Sequence, residues 1–192
     1  LKILKTAYLA GGTAAALQLG HRVSYDLDFF TRKRFDAKVL VEKLLALRSF
    51  KLEETAWGTV LGKFAGIKFS LFYYKYPLLA TSQSFLGINI ASLVDIAAMK
   101  VAAISERGRK RDFVDLYFLA KKAFTLEEAL SFYDQKYGNL ANQLSHVLKS
   151  LYYFEDAEED EMPEMLARVS WPEIKKFFGE ETKTLTKKLL NL

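Results

Sequence analysis

The chain contains no cysteine. Disulfides and thiolate-held zinc are therefore excluded, and a reducing compartment is compatible with the composition. Histidine is nearly as scarce. His21 and His146 lie far apart without ligand spacing to acids, so no zinc site is expected. Only three prolines occur, and no low-complexity linker or internal repeat interrupts the sequence. Long apolar runs are also missing. The longest in the second half, IAAMKVAAI, carries Lys100 in its middle, so no membrane-spanning helix is expected. The opening LKILKTAYLAGG has no charged segment followed by a long apolar one, which argues against a secretory signal and for a cytoplasmic location.

What is present suffices for a sizeable core, since 51% of the 192 residues are apolar. The net charge of +5 is compatible with a polyanionic partner such as a nucleotide or RNA. Charge is clustered. Arg107, Arg109, Lys110 and Arg111 form a basic knot, and residues 155–164, EDAEEDEMPE, form an acidic one that reads as a solvated surface.

The first half mixes strand and helix. Residues 6–10 read as a short strand running into Gly11-Gly12, 13–19 as a helical turn or two stopped by Gly20, and 23–30 as a strand. Asp36 is a plausible N-cap for a helix over 37–47, whose apolar residues recur at helical spacing. Three strands are predicted over 50–57, 59–65 and 67–74, with Gly58 and Gly66 at the turns. The second half reads as helix: 93–106 after Ser92, 110–122, a helix from Thr125 with Glu128 as its capping-box partner, 140–151, and two more beginning near Pro163 and Pro172. The expected fold class is α+β, a small mixed β-sheet with flanking helices followed by a helical bundle. Residues 1–85 form one part and 86–192 the other.

Within this frame the stretch LAGGTAAALQLGHRVSYDLDFF stands out. On a strand, Asp26 and Asp28 project from one face with backbones about 6.6 Å apart, while Leu27 and Phe29 point the other way. Two carboxylates about 4 Å apart repel by on the order of 4 kcal/mol at an effective dielectric of 20. A proton, a cationic side chain or a divalent metal relieves that repulsion. Magnesium suits the pair, because it takes carboxylate oxygens and leaves positions for phosphate oxygens. A Gly-Gly turn entering a helix lets backbone N–H groups approach a phosphate, and Thr13 adds a hydroxyl. Each element alone is common. Together they form a device for holding a nucleoside triphosphate.

Ala10-Gly11-Gly12 followed by Asp26-Leu27-Asp28-Phe29 resembles the signature of the polymerase-β-like nucleotidyltransferase superfamily. The longer string is similar to the AbiEii/AbiGii-type toxin nucleotidyltransferases, which show Gly-Gly-Thr-Ala-Leu and then His-Arg-x-Ser-x-Asp-Leu-Asp-Phe. His21, Arg22, Ser24, Asp26, Leu27, Asp28 and Phe29 fit, and Ala15 stands where that family has leucine. The family's second marker, a helix with a lysine and then a basic-Asp-x-x-Asp-Leu, matches DIAAMKVAAISERGRKRDFVDLYFL. By itself that segment reads as an ion-pair network of Lys100 or Arg107 with Asp112 or Asp115. With the N-terminal motif in the same chain, a catalytic reading is preferred.

The resemblance covers roughly residues 7–120. It implies a nucleotidyltransferase core in residues 1–85 and a helical region in 86–192 that completes the cleft. It implies magnesium on Asp26 and Asp28, and a nucleotide contacted by Gly11, Gly12, Thr13, Arg22, Ser24 and Arg107. Lys100 would meet the triphosphate, and Asp112 or Asp115 would fix Lys100 or act in the site. It further implies transfer of a nucleoside monophosphate to an acceptor hydroxyl, with tRNA or another RNA as candidate acceptor, a bacterial toxin role, and a cognate antitoxin. One departure is visible. The strand GIKFSLFYY, where the wider superfamily carries a third acid, has none and offers Ser70 or Lys68 instead. That departure is the reason to weigh a second reading, a catalytically weak nucleotide- or RNA-binding module on the same fold.

Overall fold

The computed structural model describes residues 2–189. These residues form two compact units, one built from residues up to Ala14 with Ser24–Ser92, the other from Ala15–Val23 with the chain from Leu93 onward.

The first unit is organised by a mixed seven-stranded sheet in the order β3-β4-β5-β2-β1-β7-β6. Its strands are β1 (Tyr8–Leu9), β2 (Leu27–Thr31), β3 (Phe50–Ala56), β4 (Thr59–Phe64), β5 (Ile67–Tyr73), β6 (Gln83–Phe85) and β7 (Ile88–Ile90). β3, β4 and β5 form an antiparallel meander, and its two hairpins close through glycines at positive φ, Gly58 (66°) and Gly66 (89°). At the second hairpin Ala65 also has positive φ (48°), giving the two left-handed residues of a type I′ turn whose twist matches the strands. β2 then pairs parallel to β5 and antiparallel to β1.

Helix α2 (Ala37–Leu45) is started by Asp36, whose carboxylate accepts from Lys38 N at 2.8 Å and Val39 N at 3.3 Å. It buries Leu40, Val41 and Leu44, the 3–4 spacing of one helical face. With Val60, Phe69 and Leu71 from the sheet, these side chains make the core of the unit. The ring of Phe29 packs against Phe69, with centroids 5.7 Å apart.

Two expectations fail here. The strand expected over 23–30 is confined to β2. The reason is where the preceding backbone spends its hydrogen bonds: Arg22 forms a bridge with Met165, and Val23 N donates to Glu164 O at 2.8 Å. Residues 2–6, in turn, form a 3-10 turn (Lys2–Thr6), so only Tyr8–Leu9 of the first expected strand is extended. The sheet also gains the short β6–β7 hairpin, absent from the sequence reading.

The second unit is helical. It comprises the end of α1 (Gly11–Leu19), α3 (Leu93–Arg107), α4 (Lys110–Lys122), α5 (Leu126–Tyr137), α6 (Leu140–Ser150), α7 (Glu155–Glu158) and α8 (Trp171–Leu189). Thr125 and Glu128 form the capping box at α5: Glu128 N donates to Thr125 Oγ1 at 3.1 Å and Thr125 N to Glu128 Oε2 at 2.7 Å. Pro172 occupies the first turn of α8, where its missing N–H is not needed. Pro163, expected near a helix start, lies instead in the irregular connection between α7 and α8.

Fully buried Phe113 organises an aromatic cluster with Phe154, Trp171 and Phe178, at centroid distances of 5.2, 5.9 and 5.2 Å. Truncating such a side chain to alanine costs about 3–5 kcal/mol, so Phe113→Ala would threaten the unit. A polar pair is sealed inside the same unit: Lys136 Nζ lies 2.7 Å from Asp95 Oδ1, both side chains fully buried. Among the described residues, no helix is long and apolar enough to cross a membrane.

Candidate active site

The first constellation is built in the sheet unit. The Gly-Gly pair is not a turn ahead of the helix, since α1 begins at Gly11 itself. Gly11 has φ of 68°, a left-handed conformation that L side chains rarely adopt. A Cβ added there would stand 3.3 Å from Asp28 Oδ2, so the backbone and that carboxylate approach each other as closely as they do because the residue is glycine. Ala10 N donates to Asp28 O at 3.0 Å, fixing the strand beside the start of the helix.

Thr13 Oγ1 donates to the Asp26 carbonyl and lies 2.9 Å from Ser24 Oγ. The hydroxyl therefore holds the loop that carries both Ser24 and Asp26. Asp26 falls one residue before β2 and Asp28 within it; both are half-buried. On β5 the residue in register with Asp28 is Ser70. The position beside the carboxylate that would carry a further acid thus carries a hydroxyl. Among the described residues, no group of three or more histidines and acids could hold a metal by itself.

The second constellation lies wholly within the helical unit. Lys100 Nζ, on α3, donates to Asp112 Oδ1 at 2.8 Å and pairs with Asp115 Oδ2 at 2.6 Å, both on α4. Spacing of i and i+3 puts the two aspartates on one helix face toward the lysine. Arg107 Nε donates to Asp112 Oδ2 at 3.0 Å. Arg22 grips Asp115 with two parallel bonds, Nε to Oδ1 at 2.7 Å and Nη2 to Oδ2 at 2.9 Å. His21 Nε2 lies 2.8 Å from Asp115 Oδ1, while its Nδ1 has no partner and its ring packs on Phe118 at 4.9 Å. His21 is the member that sequence reasoning left out of the site; its place next to Arg22 in the matched motif was the available signal.

Burial opposes the charges of Lys100, Asp112 and Asp115. Desolvation pushes Asp115 up, yet the Lys100 charge and hydrogen bonds from His21 and Arg22 outweigh it and hold the carboxyl well below its ordinary range. Asp112 is likewise lowered, with burial overcome by Lys100 and Arg107. Lys100 is raised, because Asp115 and Asp112 together outweigh its desolvation. The ion-pair network that the second segment suggested on its own is therefore real, and the lysine stays charged.

The comparisons with known proteins decide the family. The family model described as nucleotidyl transferase AbiEii toxin, type IV toxin–antitoxin system, matches residues 73–189, more than half of the chain. The chain belongs to this family. It is a nucleotidyltransferase of the toxin type, and the match reaches through the C-terminal helices, well past the stretch carrying the sequence resemblance. An uncharacterised protein of Aquifex aeolicus (strain VF5), aq_aa25, is 40% identical over 188 residues, covering 95% of this chain and 89% of that protein.

Two solved structures share the fold. MenT4, a nucleotidyltransferase toxin from Mycobacterium tuberculosis H37Rv, is 16% identical with a TM-score of 0.61, covering 95% of this chain and 76% of that one. JHP933 from Helicobacter pylori is 20% identical with a TM-score of 0.53, covering 98% and 89%.

Proposed function

We propose that this AbiEii-family chain transfers a nucleoside monophosphate from a nucleoside triphosphate to an acceptor hydroxyl, with magnesium on Asp26 and Asp28 and with tRNA or another RNA as acceptor. The observation that carries the reading is the close approach of left-handed Gly11 to the Asp28 carboxylate. It sets the first residue of α1, the end of a helix that favours anions, against that acid.

Two half-buried carboxylates suit magnesium, which is usually held by one or two such groups and keeps its remaining positions for water and phosphate oxygens. Bound there, it would supply charge neutralisation at the phosphates. The chain's own groups do the positioning. Gly11 and Gly12 present N–H groups to phosphate oxygens, and Thr13 holds Ser24 and Asp26 in place. In the transfer, the acceptor oxygen bonds to the α-phosphorus as the bond to the pyrophosphate oxygen breaks.

Lys100 is the phosphate-directed cation of this reading. An ammonium has three donors, and Asp112 and Asp115 take two of them. Asp115, gripped by Arg22 and His21, acts as the positioning group for Lys100. Arg22 thus bears on the nucleotide through Asp115, and Arg107 through Asp112. A cognate antitoxin is the partner expected of a type IV toxin.

The test is release of pyrophosphate and transfer of label from an NTP to RNA in the presence of magnesium, lost in the protein carrying Asp26→Asn and Asp28→Asn. NTP binding without pyrophosphate release would favour the weak binding module, the reading that Ser70 beside Asp28 supports.

A further inference from the structure

The acidic run 155–164 is a solvated surface at Glu155, Asp156, Glu158, Glu159, Glu161 and Glu164, as expected, but one of its acids, half-buried Asp160, meets the basic knot. Asp160 Oδ1 lies 2.5 Å from Arg109 Nη2, and Arg109 Nε donates to Asp160 Oδ2 at 2.9 Å. Lys110 N, at the start of α4, donates to the same Oδ2 at 3.0 Å, and Lys110 Nζ donates to the Asp160 carbonyl. The segment is anchored from below by fully buried Ala157 and by Phe154 in the aromatic cluster.

Beside it opens a cleft of about 440 Å³ lined by Arg107, Arg109, Arg111, Asp156 and Glu159. The side chains of Arg107 and Arg109 are more than half exposed (54% and 56%), and Arg111 is exposed as well. Arg107 holds Asp112 with Nε and Nη2, so Arg109 and Arg111, on alternate residues beside one open cleft, are the planar forks suited to successive phosphates. The carboxylate of Asp160 already sits on one fork as a phosphate oxygen would, and Asp156 and Glu159 add negative charge at the rim.

We propose that this cleft binds the phosphodiester backbone of a single-stranded RNA segment, and that Asp160 is its internal competitor. Incoming phosphate displaces the Asp160 carboxylate from Arg109. The Arg109 side chain is exposed enough to turn toward the cleft without disturbing Phe154 or Ala157. Asp160 is largely covered (17%) and its Oδ2 also accepts from Lys110 N, so the exchange takes place at exposed Arg109 while the carboxylate keeps its backbone donor. The choice of RNA rests on the acceptor proposed above; the cleft and its competitor rest on the geometry alone.

The experiment measures binding of a fluorescein-labelled single-stranded RNA oligonucleotide between about 50 and 200 mM salt. It uses the full chain carrying Asp26→Asn and Asp28→Asn, without NTP, so that its outcome is independent of the transfer reaction. In that background Asp160→Asn keeps an acceptor for Lys110 N but removes the competing charge, and it is expected to tighten RNA binding roughly threefold to tenfold. Arg109→Gln with Arg111→Gln is expected to weaken binding and to reduce the slope of log K against log salt by about 1.4, two phosphates' worth.

A melting-temperature drop in Asp160→Asn with unchanged RNA affinity would mark the contact as a structural tie and overturn the proposal. Tightening of a labelled NTP but not of RNA would also overturn it, assigning the cleft to the triphosphate. If transfer to RNA occurs in the unaltered chain but the arginine and Asp160 variants bind RNA equally, this inference fails while the transferase reading stands. If transfer is absent but RNA affinity responds as described, the reverse holds.

Discussion

Gly11 and Asp28 are set so close that a Cβ on the glycine would stand 3.3 Å from the carboxylate Oδ2. Gly11→Ala therefore carries two costs: a left-handed φ, worth about 1–2 kcal/mol, and a push on Asp28. The expected outcome is a modest fall in melting temperature and a much larger fall in transfer, read by thermal denaturation and by pyrophosphate release on the same preparation. Equal and small effects on both would mean that the approach is only a packing detail.

Asp115 holds three buried partners, Lys100, Arg22 and His21. Removing one side of a buried pair leaves charge without compensation, at a cost of about 3–5 kcal/mol. Asp115→Ala should therefore shift the urea midpoint strongly. Asp115→Asn, which still accepts from Arg22, should shift it less. A midpoint unchanged in the alanine variant would show that the network contributes no stability.

The same network fixes the pH profile of stability. Asp112 and Asp115 titrate below the ordinary 3.8 in the folded state, so their contribution is present above that value and is lost as pH falls through the folded pKa values. Lys100 titrates above 10.5, so its contribution is full below that value and is lost as pH rises beyond the folded pKa. Stability from these groups should be flat between the two limits. The acid limb should be shallower in Asp115→Asn, as measured by urea denaturation at a series of pH values.

The fully buried pair of Lys136 and Asp95 predicts a different pattern. Lys136→Met removes the ammonium opposite the buried Asp95 carboxylate and should cost about 3–5 kcal/mol, whereas Lys136→Met with Asp95→Leu should recover part of the loss. Urea denaturation of the two variants separates these outcomes, and a double variant no more stable than the single one would contradict the pairing as the source of the cost.

Where local chemistry decides conformation, the sequence was legible. Asp36 ahead of an apolar helical face, the Thr125–Glu128 box, Gly58 and Gly66 between alternating runs, and the whole of α4 emerged as read. The β6–β7 hairpin did not, because three-residue strands are too short for alternation to register and the turn at Leu86 and Gly87 had only one glycine to signal it. The false strand start at residues 23–26 has a related cause. Those residues suit extended backbone, but their pairing partners near Glu164 and Met165 are some 140 residues away in the chain, out of reach of any local pattern.

The constellations followed the same division. The ion pairs of Lys100 with Asp112 and Asp115 were legible from spacing, while Asp26 and Asp28 were singled out by the motif and their role is the proposal above. That Asp115 gathers His21 and Arg22, and that Asp160 lies on Arg109, were not, because both are long-range contacts that no spacing encodes.

The central claim is that Asp26 and Asp28 serve nucleotidyl transfer. The most direct measurement incubates the chain with each α-labelled NTP, magnesium and total RNA, and follows label on RNA together with pyrophosphate release. The account predicts magnesium-dependent labelling with at least one NTP, reduced about a hundredfold or more in the Asp26→Asn, Asp28→Asn protein, which keeps the parent melting profile. Labelling and pyrophosphate release undiminished in that variant would contradict it.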